Sequence, residues 1–221
     1  MCRFLLVKAP HPIPGEEIFK QFSAMARQSR APDGDWQGDG WGAAWLNPDR
    51  NWKVLKSLRP IWEDADGLAR IPESALFLVH ARSASFFNHK GVLDYNQPYV
   101  DESFGFVFNG LIQGVSFPFA VAGEIGAQKV WSLLTDFMGR FNPEESLISL
   151  SRTLEKCSRR IHALNIGLCD KKNIFASCRY VEDAGYYHLQ YFDSPSLKMI
   201  CSEPLPGFAF RPIPLGRVFV L

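Results

Sequence analysis

Two helical patterns lie side by side in the middle of the chain, and short apolar runs flank them on both sides. Apolar residues recur at three- and four-residue spacing over 127–141 and again over 143–161, and a similar pattern covers 15–30. The apolar runs typical of strands lie at 2–7, 41–46, 52–55, 75–80, 104–108, 164–170, 174–179, 186–192 and 198–201. Strands, then helices, then strands favour an α+β fold over alternating α/β units. We expect the last four strands to form an antiparallel meander.

The composition sets limits on size and partners. Of the 221 residues, 47% are hydrophobic, which is enough for one sizeable core, and no linker-like stretch divides the chain, so we expect a single domain over 1–221. With 24 Lys and Arg against 23 Asp and Glu, the net charge is +1, and neither sign forms a long run. The sequence therefore argues against a nucleic-acid-binding protein.

The apolar runs and the cysteines indicate a compartment. The first run, 4–7, is interrupted by Lys8 and then by prolines, and no run approaches the ~20 residues that cross a bilayer, so we expect neither a membrane span nor a signal peptide. Five cysteines without a CxxC pair favour reduced thiols over a disulfide framework or a zinc site. The predicted location is the cytoplasm.

Cys2 is a candidate nucleophile because of its position. Removal of the initiator Met would leave this residue with a free α-amine beside its thiol. An α-amine titrates near ~7.7–8 and a thiol near ~8.5, so the amine can accept the thiol proton at neutral pH. The alternative is a small apolar residue that opens a strand.

Two further segments could complete a site for amide chemistry. Asn109-Gly110 ends a strand pattern and offers a side-chain amide and an unobstructed N–H to an oxyanion, although Asn-Gly is also a common hairpin turn. Arg82 follows another strand pattern, and its planar guanidinium suits a substrate carboxylate, although a surface arginine is the alternative. In contrast, residues 38–42 alternate glycines but do not open a helix, which argues against a phosphate loop.

Seven segments in order resemble the class II glutamine amidotransferase domain, an N-terminal-nucleophile hydrolase, of the short stand-alone type. They are Met1-Cys2-Arg3, Gly38-Asp39-Gly40-Trp41-Gly42, His80-Ala81-Arg82-Ser83-Ala84-Ser85, Asn96-Gln97-Pro98-Tyr99, Phe106-Val107-Phe108-Asn109-Gly110-Leu111-Ile112, Asn165-Ile166-Gly167-Leu168-Cys169-Asp170 and Cys201-Ser202-Glu203-Pro204. Together they span nearly the whole chain.

The resemblance implies a four-layer αββα sandwich and a reaction. Cys2 attacks the side-chain amide of glutamine or a γ-glutamyl amide, giving a thioester and ammonia or an amine, and water then releases glutamate. By the same resemblance, Asn109 and Gly110 form the oxyanion hole, Arg82 holds the α-carboxylate, and Trp41 belongs to a loop that shapes the substrate pocket. No metal or organic cofactor is implied.

The sequence departs from the family pattern at two places. Gln97 stands where members usually carry a histidine, and it can still donate a hydrogen bond to substrate. The helix after Asn109-Gly110 normally begins near an aspartate that binds the α-ammonium of the substrate, whereas Gly126 takes that position here. Either Glu124 replaces the aspartate after a small shift of the loop, or the substrate lacks a free α-amine. Glu124 could also be a solvated carboxylate near a helix N-terminus.

Two functions from different classes follow. The first is an amide hydrolase acting on a glutamine-like small molecule, either alone or with a separate synthase subunit that takes the ammonia. The second is a catalytically degenerate relative that binds a ligand or partner through the same pocket, as the changes at Gln97 and Gly126 would allow. A homodimer is compatible with either function, and no nucleic-acid or membrane partner is expected.

Overall fold

A computed structural model describes all residues, 1–221, and contains twelve strands and five α-helices. The strands are β1 (Arg3–Ile13), β2 (Trp41–Leu46), β3 (Trp52–Ser57), β4 (Ser74–Ala81), β5 (Tyr99–Val100), β6 (Gly105–Gln113), β7 (Arg160–Cys169), β8 (Ile174–Ser177), β9 (Gln190–Asp193), β10 (Lys198–Cys201), β11 (Arg211–Pro212) and β12 (Val218–Val220). The helices are α1 (Glu16–Gln28), α2 (Ala65–Ala69), α3 (Gly126–Met138), α4 (Pro143–Cys157) and α5 (Ala184–Tyr187). None of the helices combines the length and apolar character that a bilayer crossing requires.

The strands form two antiparallel sheets. The first has seven strands in the order β11-β9-β10-β1-β4-β2-β3, and the second has five in the order β12-β8-β7-β6-β5. β1 lies near the centre of the first sheet, where Phe4 pairs with His80 of β4 and Leu5 pairs with Cys201 of β10. This central position fixes the N-terminus of the chain at the end of β4.

Alternating residues of the central strands define four layers. On β1, Leu5 and Val7 face α1, whereas Phe4 and Leu6 face the second sheet. A second alternation on β6 points Phe106 and Phe108 toward α3 and α4, and Val107 toward the first sheet. The order helix, sheet, sheet, helix confirms the predicted four-layer αββα sandwich.

Several element boundaries differ from the sequence prediction. β6 continues to Gln113, so Asn109-Gly110 lies within this strand and does not end it. β1 continues to Ile13 through Pro10 and Pro12, because its pairing with β4 is irregular between Lys8 and Ile13 and the missing N–H groups break no ladder there. The second central helix begins as expected, since the Asn142 side chain accepts from Glu145 N at 3.0 Å, but it ends at Cys157 and not at 161.

The predicted C-terminal meander is wrong. β7 and β8 belong to the second sheet, while β9 and β10 belong to the first. The segment 186–192 is not one strand, because α5 covers its beginning and the strand starts only at Gln190. Each pair is a local hairpin, and the division between sheets is set by long-range packing that a local pattern does not encode.

Candidate functional site

A cavity of about 500 Å³ opens where the two residues before β1, the segment after β4, the second half of β6 and the start of α3 meet. It brings together five of the residues predicted from sequence: Cys2, Arg82, Gln97, Asn109 and Gly110. Its size lies in the range of ~300–1,000 Å³ that is usual for small-molecule sites. No group of three His, Cys, Asp or Glu side chains is arranged to hold a metal ion.

The Cys2 thiol lies against the backbone of Ser83. Its Sγ accepts from Ser83 N at 3.4 Å and lies 3.5 Å from Ser83 O, to which the thiol donates. Burial raises the pKa of Cys2, while the nearby α-ammonium, the Ser83 N–H and Arg82 act in the opposite direction. With Met1 in place, the sulfur is therefore held mainly as a thiol.

The α-ammonium of Met1 is bound by the carboxylate of Asp35, which also accepts from the Ser83 hydroxyl. Burial alone would raise the pKa of Asp35, but these two hydrogen bonds outweigh it, and the pKa lies below its usual value. The Met1 carbonyl accepts from Gln37 Nε2 at 2.8 Å and from the Tyr186 hydroxyl at 3.0 Å. The first peptide unit is thus held by polar groups beside the thiol.

Asn109 and Gly110 lie on β6 beside the cavity. The Asn109 side chain is 1% exposed, and neither its Nδ2 nor its Oδ1 has a hydrogen-bond partner in the protein. An unpaired buried amide costs free energy, so a partner that enters the cavity would be favoured. Gly110 has no room for a side chain, since a Cβ there would lie 2.5 Å from Ala163 O.

Arg82 is a buried cation without an acidic partner. Its side chain belongs to a residue only 4% exposed; it donates to Asn96 Oδ1 at 3.2 Å and to His89 O at 2.7 Å, and no carboxylate forms a salt bridge with it. A buried charge is stable when it is paired, so the cavity favours an anionic group at this position.

Solved structures of known proteins share this arrangement of sheets and helices. A glutamine aminotransferase class-II domain protein from Silicibacter pomeroyi superimposes with a TM-score of 0.67 at 16% identity, covering 99% of this chain and 94% of that one. A predicted glutamine amidotransferase from Pseudomonas aeruginosa gives a TM-score of 0.55 at 17% identity, covering 99% and 96%. The fold is that of a class II glutamine amidotransferase domain.

A larger enzyme contains the same fold as one part. The glutamine phosphoribosylpyrophosphate amidotransferase from B. subtilis, solved with ADP and GMP, superimposes with a TM-score of 0.65 at 13% identity over 99% of this chain. This chain spans only 47% of that protein. No protein-family model matches the sequence, and no curated protein is detectably similar to it.

Within this amidotransferase fold, Gln97 contacts the protein with both ends of its side-chain amide. Its Oε1 accepts from Phe108 N at 2.6 Å, and its Nε2 donates to Phe108 O at 3.2 Å. Although Gln97 lines the cavity, its polar atoms therefore hold the backbone just before Asn109. In this structure the amide that was predicted to contact substrate is thus hydrogen-bonded to the Phe108 backbone.

Trp41 and Glu124 do not line the cavity. Trp41 is fully buried in the core between the first sheet and α1, where its Nε1 donates to Asp64 Oδ2 at 3.0 Å. Glu124 is exposed, and its Oε2 accepts from the Tyr95 hydroxyl at 2.6 Å. Neither side chain therefore reaches the cavity in this structure, and Glu124 matches the alternative of a solvated carboxylate near a helix N-terminus.

Three residues near the site were not predicted from sequence. Asp35 binds the terminal amine, Ser83 contacts both Asp35 and the Cys2 sulfur, and Lys129 lines the cavity from α3. Ser83 could have been found from the sequence, because it directly follows the candidate residue Arg82. Asp35 and Lys129 are single charges in a loop and a helix, and nothing in the local pattern distinguishes them.

The buried imidazole of His80, in β4 next to the site, should make the stability of the protein depend on pH. It is fully buried, and burial together with Arg82 lowers its pKa from 6.5 to about 3. Below its ordinary pKa the unfolded chain binds a proton that the folded chain does not, so stability falls as the pH decreases from about 6.5 toward 3, by about 1.4 kcal/mol per pH unit.

We therefore expect the wild type to lose about 2 kcal/mol more unfolding free energy than His80→Gln between pH 7 and pH 5. Urea unfolding at the two pH values measures this difference. Because other groups titrate equally in both proteins, equal losses would show that His80 is protonated in the folded state.

Proposed function

We propose that this protein hydrolyses the side-chain amide of a glutamine-like small molecule, with Cys2 as the nucleophile. The observation that carries the proposal is the unpaired, buried Asn109 amide in the same cavity as the Cys2 thiol and the carboxylate-free Arg82. A thiol, a hydrogen-bond donor for an oxyanion and a cation for an anchoring carboxylate are the groups that cleavage of such an amide requires.

The reaction proceeds in two balanced steps. The Cys2 sulfur forms a bond to the amide carbon, the carbon–nitrogen bond breaks, and the thiol proton leaves with the nitrogen as ammonia or an amine. Water then adds to the thioester carbon, the carbon–sulfur bond breaks, and the thiol is restored. Asn109 Nδ2 and Gly110 N stabilise the negative oxygen that develops in both steps, and Arg82 holds the carboxylate of the substrate.

The thiol proton needs an acceptor, and we assign this role to the α-amine of Cys2 after loss of Met1. Cleavage of Met1 removes the amine that Asp35 binds and creates a new terminal α-amine on Cys2, the nucleophile itself. Because this amine and the thiol belong to the same residue, the proton can pass between them directly or through one water. The released ammonia either diffuses away or is taken by a separate acceptor-binding subunit, and the five free cysteines support a reducing, cytoplasmic setting.

Intact-mass measurement tests the proposal in one experiment. We expect the purified protein to lack one methionine and to gain a single adduct with a glutamine-like diazoketone, supplied with a free or an acetylated α-nitrogen. Two of the other thiols are poor competitors, because burial raises the pKa of Cys178 to about 11 and that of Cys201 to about 12.

Two variants give this experiment its controls. Cys157→Ala removes a half-buried thiol outside the cavity and should label like the wild type, whereas Cys2→Ala should not label. A protein that retains Met1, or labels equally in Cys2→Ala, would exclude the proposed nucleophile and favour a non-catalytic, ligand-binding relative.

A further inference from the structure

The charge of the cavity lining bears on which glutamine-like molecule it accepts. The lining residues include two cations, Arg82 and Lys129, and no aspartate or glutamate. Acidic side chains on the neighbouring loops have hydrogen-bond partners of their own: Asp35 accepts from the Ser83 hydroxyl, Asp39 pairs with Lys90 at 2.9 Å, and Glu124 accepts from the Tyr95 hydroxyl at 2.6 Å. Whichever wall the α-nitrogen of a bound substrate faces, an ammonium group finds no carboxylate there.

The start of α3 adds positive charge that further disfavours an ammonium group in the cavity. Gly126 and Lys129 both line the cavity, and their three-residue spacing places them on one face of the helix. The Lys129 side chain is half-buried and forms no salt bridge. The helix N-terminus adds partial positive charge at the same place. An ammonium would therefore be repelled here, whereas a neutral amide nitrogen would not.

The rest of the cavity wall is apolar, and it extends beyond the area that a free amino acid would contact. Phe117, Ile125 and Val130 line it beside α3, and two apolar side chains at its edge, Phe86 and Val115, are 63% and 41% exposed. Such exposed apolar groups around a pocket are typical of a surface that an apolar ligand covers. No side chain fills the space at Gly126, because a Cβ there would contact nothing within 4 Å.

We infer that the substrate is an N-acylglutamine, a glutamine whose α-nitrogen carries an apolar acyl group. The inference rests on the proposed function. Acylation removes the α-ammonium charge, the α-carboxylate still pairs with Arg82, the side-chain amide still reaches Cys2, and the acyl chain lies along the apolar wall near Phe117 and Ile125.

Binding to Cys2→Ala protein tests the ligand class without turnover. L-glutamine, N-acetyl-L-glutamine and N-hexanoyl-L-glutamine share the carboxylate and the side-chain amide, so their dissociation constants isolate the α-nitrogen and the chain. We expect N-acetylation to tighten binding at least tenfold and the hexanoyl chain to tighten it further. Binding of glutamine as tight as that of either acyl derivative would overturn the inference.

A substitution at the free space of α3 gives the reciprocal test. Gly126→Asp places a carboxylate beside the cavity at a position with room for a side chain, at the N-terminal end of a helix where an acidic residue is favoured. Glutamine should then bind at least tenfold tighter and N-acetylglutamine more weakly. Gly126→Asn, equal in size and uncharged, should leave the preference for acyl derivatives in place, and equal shifts in both variants would contradict the charge argument.

The outcome separates the two proposals. Tight binding of N-acylglutamines without ammonia release by the processed wild type would overturn the proposed reaction and retain the ligand class. Cys2-dependent ammonia release that is fastest from free glutamine would do the reverse.

Discussion

Replacing Cys2 with Ala is expected to abolish amide hydrolysis and to leave the fold unchanged. The substitution removes the sulfur that forms the thioester, and by comparison with nucleophile deletions in other hydrolases the rate of turnover should fall by about 10⁴-fold or more. Alanine is also small, so the variant should still lose Met1 and carry the same α-amine. Ammonia release measured on the processed variant checks the prediction.

The matched control is Cys157→Ala, which deletes another half-buried thiol outside the cavity and should retain full activity. The Cys2 sulfur forms hydrogen bonds only with the Ser83 backbone, so the thermal midpoint of Cys2→Ala should stay close to that of the wild type. If the folded, processed Cys2→Ala protein keeps its activity, the nucleophile lies elsewhere. The nearby Ser83 hydroxyl, which donates to Asp35, would then be the next candidate.

The fold was predictable wherever a local repeat determines it. The period of 3.6 marked α1, α3 and α4, and the apolar runs marked β2, β4 and the first half of β6, since each of these elements buries one face or lies fully inside. The division of the last four strands, with β9 and β10 in one sheet and β7 and β8 in the other, was not predictable. It depends on contacts between segments far apart in the chain, which local periodicity does not record.

Some positions of the site residues were likewise predictable from the sequence, and others were not. Cys2 precedes β1 and Arg82 follows β4, so recognising these two strands already brought their side chains toward one edge, whereas Asn109 lies in the middle of β6. The directions of two other side chains had no such signal: Trp41, the first residue of β2, points into the core against Asp64, and Glu124 points to Tyr95. Both residues were therefore placed in the pocket by resemblance alone, whereas the packing of their neighbours places both outside the cavity lining.

Asn109→Leu should lower kcat by about 10²–10³-fold, the usual cost of removing one oxyanion donor. The same substitution should leave the free energy of unfolding unchanged or raise it. Neither polar atom of the Asn109 amide has a partner in the protein, so an apolar side chain of similar size removes an unpaired buried group and breaks no hydrogen bond. Steady-state kinetics and urea unfolding of one protein preparation give both quantities.

Asn165 provides the contrast, since it pairs with Asn109 across β6 and β7 but makes hydrogen bonds with its amide. Its Nδ2 donates to Tyr187 O at 2.6 Å, and its Oδ1 accepts from Arg179 N at 3.0 Å. Asn165→Leu should therefore lose about 1–3 kcal/mol of unfolding free energy for each backbone group left unpaired. Because Asn165 does not line the cavity, its kcat should stay within a few-fold of the wild type. A loss of stability in Asn109→Leu without a fall in kcat would instead make Asn109 a structural residue of β6, because removal of a catalytic group that the fold holds unpaired must lower activity.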